Sequence, residues 1–138
     1  MLHTDTGPYL IGVWYRPPDQ GEIESIKFCE EEWQLLSPEV LGTILVGDIN
    51  VHHIRWLRYS SRNSAEGEVL RDFCDRVGLR QLMHEPTRGE NLLDLAMTDL
   101  DEVKCKTVSK IADHKGVSLR LPLSVPRVEI QCLAIQGC

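Results

Sequence analysis

The stretch Thr43-Ile44-Leu45-Val46-Gly47-Asp48-Ile49-Asn50 is an apolar run that ends in a carboxylate and a carboxamide two positions apart. The apolar residues predict a buried strand. Because a strand delivers side chains i and i+2 to the same face, Asp48 and Asn50 are expected to project together from its end. Enzymes of the α/β class commonly bind ligands at such a sheet edge. Gly-Asp-x-Asn is also the sequence of a plain strand-ending turn, so this segment alone leaves both interpretations open.

Length and composition indicate one ordinary globular domain. The chain has 138 residues, of which 42% are hydrophobic and 26% charged, and a chain of this size buries roughly two-thirds of its unfolded surface in a single core. We expect a domain over 1–125 followed by a C-terminal tail over 126–138. No apolar run approaches the ~18 residues of a membrane span, and the N-terminus does not have the pattern of a signal peptide.

The five cysteines are odd in number and widely spread, without Cys-x-x-Cys spacing. This argues against a disulfide framework and against a zinc site. An intracellular location, cytoplasmic or nuclear, is therefore the expectation. The formal net charge of −6 excludes the overall basic character of a typical nucleic-acid-binding module. Clustered carboxylates that hold a divalent cation would still allow an acidic chain to cleave nucleic acid, because the ion supplies local positive charge.

Strand and helix patterns alternate along the first half of the chain and give way to strands in the second half. The predicted strands cover 9–15, 43–47, 79–83, 92–98, 103–109 and 117–123. The predicted helices cover about 21–36 and 65–77, the second closed by a glycine at 78. This β-α-β-α order followed by strands predicts an α/β (α+β) fold in which one mixed β-sheet carries two helices packed on one face.

Polar side chains with reactive chemistry lie at several predicted strand ends. Asp94 is a carboxylate within an apolar run, where it needs a partner or a metal to offset its burial. Asp113 and His114 fall between two strands, and Tyr15 closes the first one; a carboxylate beside an imidazole can act as an acid/base or phosphate-binding pair. Each has a structural alternative: a buried hydrogen-bond network for Asp94, an Asx-turn for Asp113 and a core position for Tyr15.

The long polar loop over 50–63 combines arginines with aromatic residues. Arg55 and Arg58 flank Trp56, and together with Arg88 they form the predicted nucleic-acid contact set, in which arginines pair with phosphates and the indole stacks on a base. A solvated loop without such a role is the alternative interpretation.

Several separated motifs of the chain occur in the order and spacing of one known family. They are Tyr15-Arg16-Pro17-Pro18, Gly47-Asp48-Ile49-Asn50-Val51-His52-His53 with Trp56, Gly78-Leu79, Pro86-Thr87-Arg88, Asn91-Leu92-Leu93-Asp94-Leu95, Thr98-Asp99 and Asp113-His114. Over about 9–123 the chain resembles the C-terminal half of the endonuclease/exonuclease/phosphatase superfamily. The likeness is greatest to the endonuclease domains that precede the reverse transcriptase in non-LTR (jockey-like) retrotransposons.

The resemblance implies a Mg²⁺- or Mn²⁺-dependent phosphodiesterase that acts on DNA and is built on a four-layer α/β sandwich. By this likeness Asp48 orients or deprotonates the attacking water and also serves as a metal ligand, and Asn50 hydrogen-bonds the scissile phosphate. The likeness also implies that Asp94 and His114 form a pair that steadies the phosphate. It places Asp113 at or near the metal, and it makes Tyr15 the residue whose hydroxyl contacts the phosphate.

The chain departs from the family pattern in its first half. The Asn of the first strand and the metal-binding Glu of relatives have no match upstream of Tyr15, and Ala112 stands where relatives often have Ser. The expected architecture is therefore half of the four-layer sandwich, with one apolar sheet face left uncovered. We expect a homodimer that covers this face, or pairing with a missing N-terminal half. The alternative to an endonuclease is a non-catalytic, dimerising remnant that binds nucleic acid or protein.

Overall fold

The computed structural model describes residues 1–17, 23–111, 114–121 and 133–136, and its architecture follows the predicted α/β order. The elements are β1 Leu2–Thr4, β2 Gly7–Tyr15, α1 Ile23–Leu36, β3 Thr43–Asp48, α2 Ala65–Val77, β4 Arg80–Gln81, β5 Asp94–Thr98, β6 Lys104–Ile111, β7 His114–Arg120 and β8 Leu133–Gln136. A 3₁₀ turn over Ser37–Glu39 follows α1.

A mixed sheet in the order β1-β2-β3-β5-β4 forms the centre of the fold. The parallel pair β2 and β3 is joined by α1, as parallel neighbours require a crossover connection. Strand β5 runs antiparallel to both β3 and β4. The edge of β2 that faces away from β3 is shared: β1 pairs with its first residues, and β8 lies parallel to Gly12–Tyr15.

Both helices form where the sequence places them. In α2 the Ser64 side chain accepts a hydrogen bond from the Gly67 backbone N–H (3.1 Å), and Gly78 ends the helix in the left-handed conformation at φ 76°. The predicted start of α1 at about 21 lies outside the described residues, which show the helix from Ile23. No helix within these described ranges combines the length and apolar character that crossing a bilayer requires.

One face of the main sheet packs against the two helices. Leu45 of β3 and Met97 of β5, which are paired across the ladder, belong to the same buried cluster as Ile26 of α1 and Phe73 of α2. On the opposite face Val13 and Tyr15 of β2 are 41% and 54% exposed. The predicted α/β class, with a mixed sheet and two helices, is therefore confirmed.

The prediction of one continuous sheet needs a correction at the end of the chain. Among the described residues, β6 and β7 form a separate two-stranded antiparallel sheet. Strand β4 has only two residues and offers too short a ladder for a further neighbour. The hairpin packs instead beside the segment after β4, where Lys115 N–H donates to Thr87 O (2.8 Å).

Two short strands were not predicted. Strand β1 precedes the first predicted strand, and β8 lies within the expected tail over 126–138 but pairs in the main sheet. The rest of that tail falls outside the described residues, and the domain bounds 1–125 and 126–138 remain a prediction. His114, expected between two strands, is the first residue of β7.

Candidate active site

Three ionisable side chains from three strands meet at one end of the main sheet. Asp48 is the last residue of β3 and Asp94 the first of β5, and the two face each other directly across the ladder. His114, the first residue of β7, places Nδ1 2.7 Å from Asp94 Oδ2 and Nε2 3.6 Å from Asp48 Oδ2. All three side chains are mostly buried but still reach solvent. This group is hereafter called the rim cluster.

Asn50 joins the rim cluster, although strand alternation is not the reason. The strand ends at Asp48, and Asn50 lies beyond it with a left-handed backbone at φ 51°, a conformation that asparagine tolerates better than most residues. Its Nδ2 donates to Asp48 Oδ1 (2.7 Å) and to Arg16 O (2.8 Å). The structure therefore brings Asp48 and Asn50 together through a turn rather than through the predicted i, i+2 geometry.

Gly47 is required immediately before Asp48. Its φ of 151° lies in the region that favours glycine, and a Cβ there would fall 1.7 Å from Trp14 O on the neighbouring strand. The backbones of β2 and β3 thus approach so closely at this point that no side chain fits. This close approach fixes where β3 ends and where its last carboxylate projects.

Arg16 is a site residue that the sequence interpretation missed. Only 2% of its surface is exposed. Its Nε donates to Ser25 Oγ (3.1 Å) in α1, and its Nη1 donates to Asn50 O (3.1 Å) and Ile49 O (3.4 Å). A charged residue directly after an apolar strand was a usable signal, but the sequence interpretation used Arg16 only as part of a motif and gave it no role in the site. The guanidinium holds the turn that carries Asn50 against the first helix.

Thr87 links the two strands that carry Asp94 and His114. Its buried hydroxyl accepts hydrogen bonds from the backbone N–H groups of Asp94 (3.0 Å) and Leu93 (3.2 Å), while its carbonyl accepts one from Lys115 N–H (2.8 Å). One side chain and one carbonyl thus set the spacing between the start of β5 and the start of β7. The sequence interpretation used Thr87 only as part of a motif.

The remaining predicted site residues are placed differently. Tyr15 pairs with Asp48 in the β2–β3 register, so both side chains leave the sheet on the same face beside each other. Its hydroxyl-bearing ring is half exposed, and its contact with phosphate remains a prediction. Asp113, the second predicted metal ligand, lies outside the described residues.

The loop over 50–63, hereafter the arginine loop, is fixed at its base and exposed at its tip. His53 is buried, with Nε2 2.5 Å from Glu68 Oε2, and the Trp56 indole N–H donates to Gly67 O (3.1 Å). Burial, aided by nearby Arg62, lowers the pKa of His52 below its usual 6.5. Arg55 and Arg58 are exposed.

The four residues of the predicted nucleic-acid contact set therefore differ in how far they are buried. Trp56 packs half-buried against the core and anchors the arginine loop on α2, whereas Arg55, Arg58 and Arg88 are at the surface. A cleft of about 440 Å³ opens between this loop and the turn that contains Arg88. Its lining residues are Tyr59, Ser60, Ser61, Pro86, Gly89, Glu90 and Asn91. Nucleic-acid contact by the four residues remains a prediction.

The donor atoms of the rim cluster partly match the requirements of a divalent cation. One ligand atom from each of Asp48, Asp94 and His114 lies within 4.8 Å of the other two. Mg²⁺ and Mn²⁺ favour carboxylate oxygens, and Mg²⁺ is often held by one or two carboxylates together with waters and substrate phosphates. The two aspartates fit that pattern. The imidazole suits other metals better, and its Nδ1 is already engaged by Asp94.

Comparison with known proteins agrees with this geometry. A family model described as endonuclease-reverse transcriptase matches residues 9–118. The fold is similar to the solved structure of the endonuclease domain of TRAS1, a telomere-specific non-LTR retrotransposon, with a TM-score of 0.65 and 19% identity over 80% of this chain. The match covers 55% of that domain, so this chain spans about half its length. No curated protein sequence matches the chain. Because the family model spans most of the sequence, the chain is a member of the endonuclease-reverse transcriptase family.

Proposed function

We propose that this chain carries catalytic groups of a divalent-metal-dependent endonuclease that hydrolyses phosphodiester bonds of DNA. The observation that carries the proposal is the rim cluster itself, in which Asp48, Asp94 and His114 come from three strands to within hydrogen-bonding or ion-pairing distance. Asn50, the family match and the TRAS1-like fold support the same function.

The protonation of the cluster follows from its donors and acceptors. A carboxylate accepts hydrogen bonds only, so the Nδ1 of His114 carries the proton shared with Asp94. This bond holds the imidazole ring in one orientation and directs Nε2 toward the space in front of Asp48. At 3.6 Å the Nε2–Asp48 separation is too long for a good hydrogen bond. When Nε2 also carries a proton, the imidazolium can donate a hydrogen bond from there to a phosphate oxygen or a water molecule.

Asp48 is the proposed base or orienting group for the attacking water. Asn50 donates to its Oδ1, and because a carboxylate has about four lone-pair sites, Asp48 can accept a further hydrogen bond from water. A Mg²⁺ or Mn²⁺ ion held by Asp48 and Asp94 would stabilise negative charge on the phosphoryl oxygens. His114 would donate to a non-bridging oxygen, and Tyr15, beside Asp48 on the same face, would contact the phosphate from the other side.

Nicking of supercoiled plasmid tests the proposal. We expect the chain, supplied with Mg²⁺ or Mn²⁺, to convert supercoiled plasmid to the open-circle form, and EDTA to abolish the reaction. Asp48→Asn should reduce the rate by about 10²–10⁴-fold, the range that a general base contributes. Lys27→Gln, on the exposed surface of α1, is the matched control and should leave the rate unchanged. Nicking that survives both EDTA and Asp48→Asn would refute the proposal.

A second proposal concerns the uncovered sheet face. Val13 and Tyr15 expose apolar surface on the face opposite the helices, and surfaces of this kind commonly cover one another. We propose that the chain forms a two-fold homodimer through this face, or associates there with a separate N-terminal half. If the chain forms this dimer but does not catalyse cleavage, it corresponds to the alternative function, a non-catalytic remnant that binds nucleic acid or protein.

Light scattering after size-exclusion chromatography tests the association. A dimer at micromolar concentration that Val13→Asp converts to monomer supports the proposal, and a folded wild-type monomer contradicts it. Val108→Asp, an exposed apolar position on the hairpin, is the control. Plasmid nicking measured on the same fractions separates an active assembly from a dimer that only binds.

A further inference from the structure

One end of the β6–β7 hairpin carries a group of cationic side chains that the rim cluster does not use. A cleft of about 450 Å³, hereafter the basic cleft, is lined by Lys104, Cys105, Lys106, Ser118 and Arg120. The three cations are exposed. In a chain with a net charge of −6, such a concentration of positive charge is unusual.

The strand register places the basic cleft on the face that also carries His114. Arg120 pairs with Lys104 and Ser118 pairs with Lys106, so these cross-strand neighbours share a face. Along β7, alternate residues leave the same face, and His114 and Arg120 are both even-numbered positions. The bulge between Val108 and Lys110 is in β6 and does not interrupt this alternation.

The other face of the hairpin is directed toward the protein interior. Val117 and Leu119 pack against the main core cluster, and so does Cys105, which also borders the basic cleft. Glu85, whose carboxylate contacts the Thr107 hydroxyl, lies on the side of this interior face. The basic cleft therefore lies on the surface that continues outward from the rim cluster.

Within the described part of the chain, no carboxylate pairs with Lys104, Lys106 or Arg120; the nearby Asp101 lies 3.8 Å from Arg80 instead. Three cations that line one cleft attract a polyanion, and a regular row of phosphates matches their arrangement along two strands.

We propose that the basic cleft binds backbone phosphates of the duplex DNA substrate at a distance from the cleavage site. This inference rests on the proposed nuclease function. Six residues of strand separate His114 from Arg120, which corresponds to roughly 20 Å at about 3.3 Å per residue. Duplex DNA rises about 3.4 Å per base pair, so the basic cleft meets the backbone about six base pairs from the phosphate held at the rim cluster.

Binding of short and long duplexes tests the proposal, with EDTA present so that binding is measured without cleavage. The variant combines Lys104→Gln, Lys106→Gln and Arg120→Gln, and the matched control combines Lys27→Gln, Arg71→Gln and Arg76→Gln on the helices. Both variants change the net charge by the same amount. For a 24-base-pair duplex we expect the cleft variant to lower affinity at least about tenfold. We also expect it to reduce the slope of log K against log salt by about 2.7, or 0.9 per lost phosphate contact.

Comparing duplexes of two lengths distinguishes a local contact at the basic cleft from general electrostatic attraction between protein and DNA. A stem-loop with a duplex of 4 base pairs is about 14 Å long, shorter than the roughly 20 Å between the two sites, so it cannot occupy the rim cluster and the basic cleft together. The loss of affinity should then shrink to the level of the control variant. Equal losses for the cleft and control variants, or equal losses on both duplexes, would overturn the inference. If the triple variant does not fold, Lys104→Gln and Arg120→Gln are measured singly, each with an expected slope change of about 0.9. Because no cleavage is measured, a failure of the nuclease proposal in the plasmid assay remains a separate result.

Discussion

The arginine loop begins two residues after Asp48 of the rim cluster, but the two regions are held in different ways. The rim cluster takes its three ionisable groups from three strands, and ties from Arg16 and Thr87 fix the backbone around them. In the arginine loop, His53 and Trp56 bond to α2 and Leu57 is buried in the core, while the arginines extend into solvent. Under the proposed nuclease function, this difference assigns bond cleavage to the rim cluster and contact with a polyanion to the arginine loop.

The largest effect is expected where the two regions share a support. Arg16→Met removes the donors for Ile49 O and Asn50 O at the base of the arginine loop, together with the hydrogen bond to Ser25 Oγ. We expect the free energy of unfolding to fall by about 2–4 kcal/mol, since each unsatisfied buried group costs about 1–3 kcal/mol. Urea unfolding followed by circular dichroism measures this. A loss below 0.5 kcal/mol would show that the two regions do not depend on this common support.

A smaller and more selective effect is expected at Thr87. Thr87→Val keeps the shape of the side chain but removes the acceptor for two backbone N–H groups at the start of β5. We expect the nicking rate at saturating plasmid to fall about tenfold, equivalent to about 1.4 kcal/mol, with little change in DNA affinity. Thr87→Ser keeps the hydroxyl and should restore most of the rate. A loss of affinity that equals the loss of rate would contradict the division between a cleaving and a holding region.

The arginine loop should behave in the reverse manner. Arg55→Gln combined with Arg58→Gln is expected to weaken DNA binding several-fold and to reduce the salt slope by about 1.8, while the rate at saturation stays unchanged. Fluorescence anisotropy across salt concentrations measures the slope. The paired control is Lys27→Gln with Arg71→Gln. If the loop variant slows cleavage at saturation but leaves binding intact, the loop belongs to the cleaving region.

The smallest effect is expected for the buried cysteine thiols, which belong to neither region. Burial raises the pKa of Cys29 and of Cys74 to about 12 and that of Cys105 to about 11. Since each folded pKa exceeds the usual thiol pKa of 9.0, the thiols stay protonated in the folded chain at pH 8. We therefore expect almost no alkylation of Cys29 and Cys74 by iodoacetamide at pH 8, scored by peptide mass mapping. Rapid labelling of these two would mean that the helices open readily.

The same raised pKa values determine how stability depends on pH. A group whose pKa is raised on folding contributes fully below its unfolded pKa and loses that contribution as pH rises toward the folded value. For these thiols, stability is unaffected below about pH 8 and declines from pH 9 toward pH 12. Unfolding measurements at pH 8 and pH 10 check the sign, and greater stability at pH 10 would contradict it.

Local patterns predicted the elements whose signals are local. Gly78 marked the end of α2, and the strand before Asp48 was visible in its apolar run. The separation of the β6–β7 hairpin was not predictable, because it depends on how few residues of β4 enter the ladder. Strand β8 was missed because its residues show no period and gain their structure only by pairing with β2.

The candidate site likewise contains residues that the sequence identified and residues that it did not. Asp48, Asn50, Asp94 and His114 were identified by family resemblance, and the structure brings them together, although their catalytic roles remain predictions. Arg16 and Thr87 were missed because their partners lie in other elements, which no local pattern reveals. The anchoring role of Trp56 was missed for the same reason, since its partner is the backbone of α2.

The pairing of β8 with β2 bears on how the molecule is made. Residues 12–15 cannot gain this neighbour until the ribosome has synthesised residues 133–136, which are their partners. Contacts between such distant positions slow folding. During that interval the unpaired edge of β2 can template the addition of a foreign strand, so nascent or truncated forms that lack 133–136 are expected to aggregate more readily than the chain that contains them.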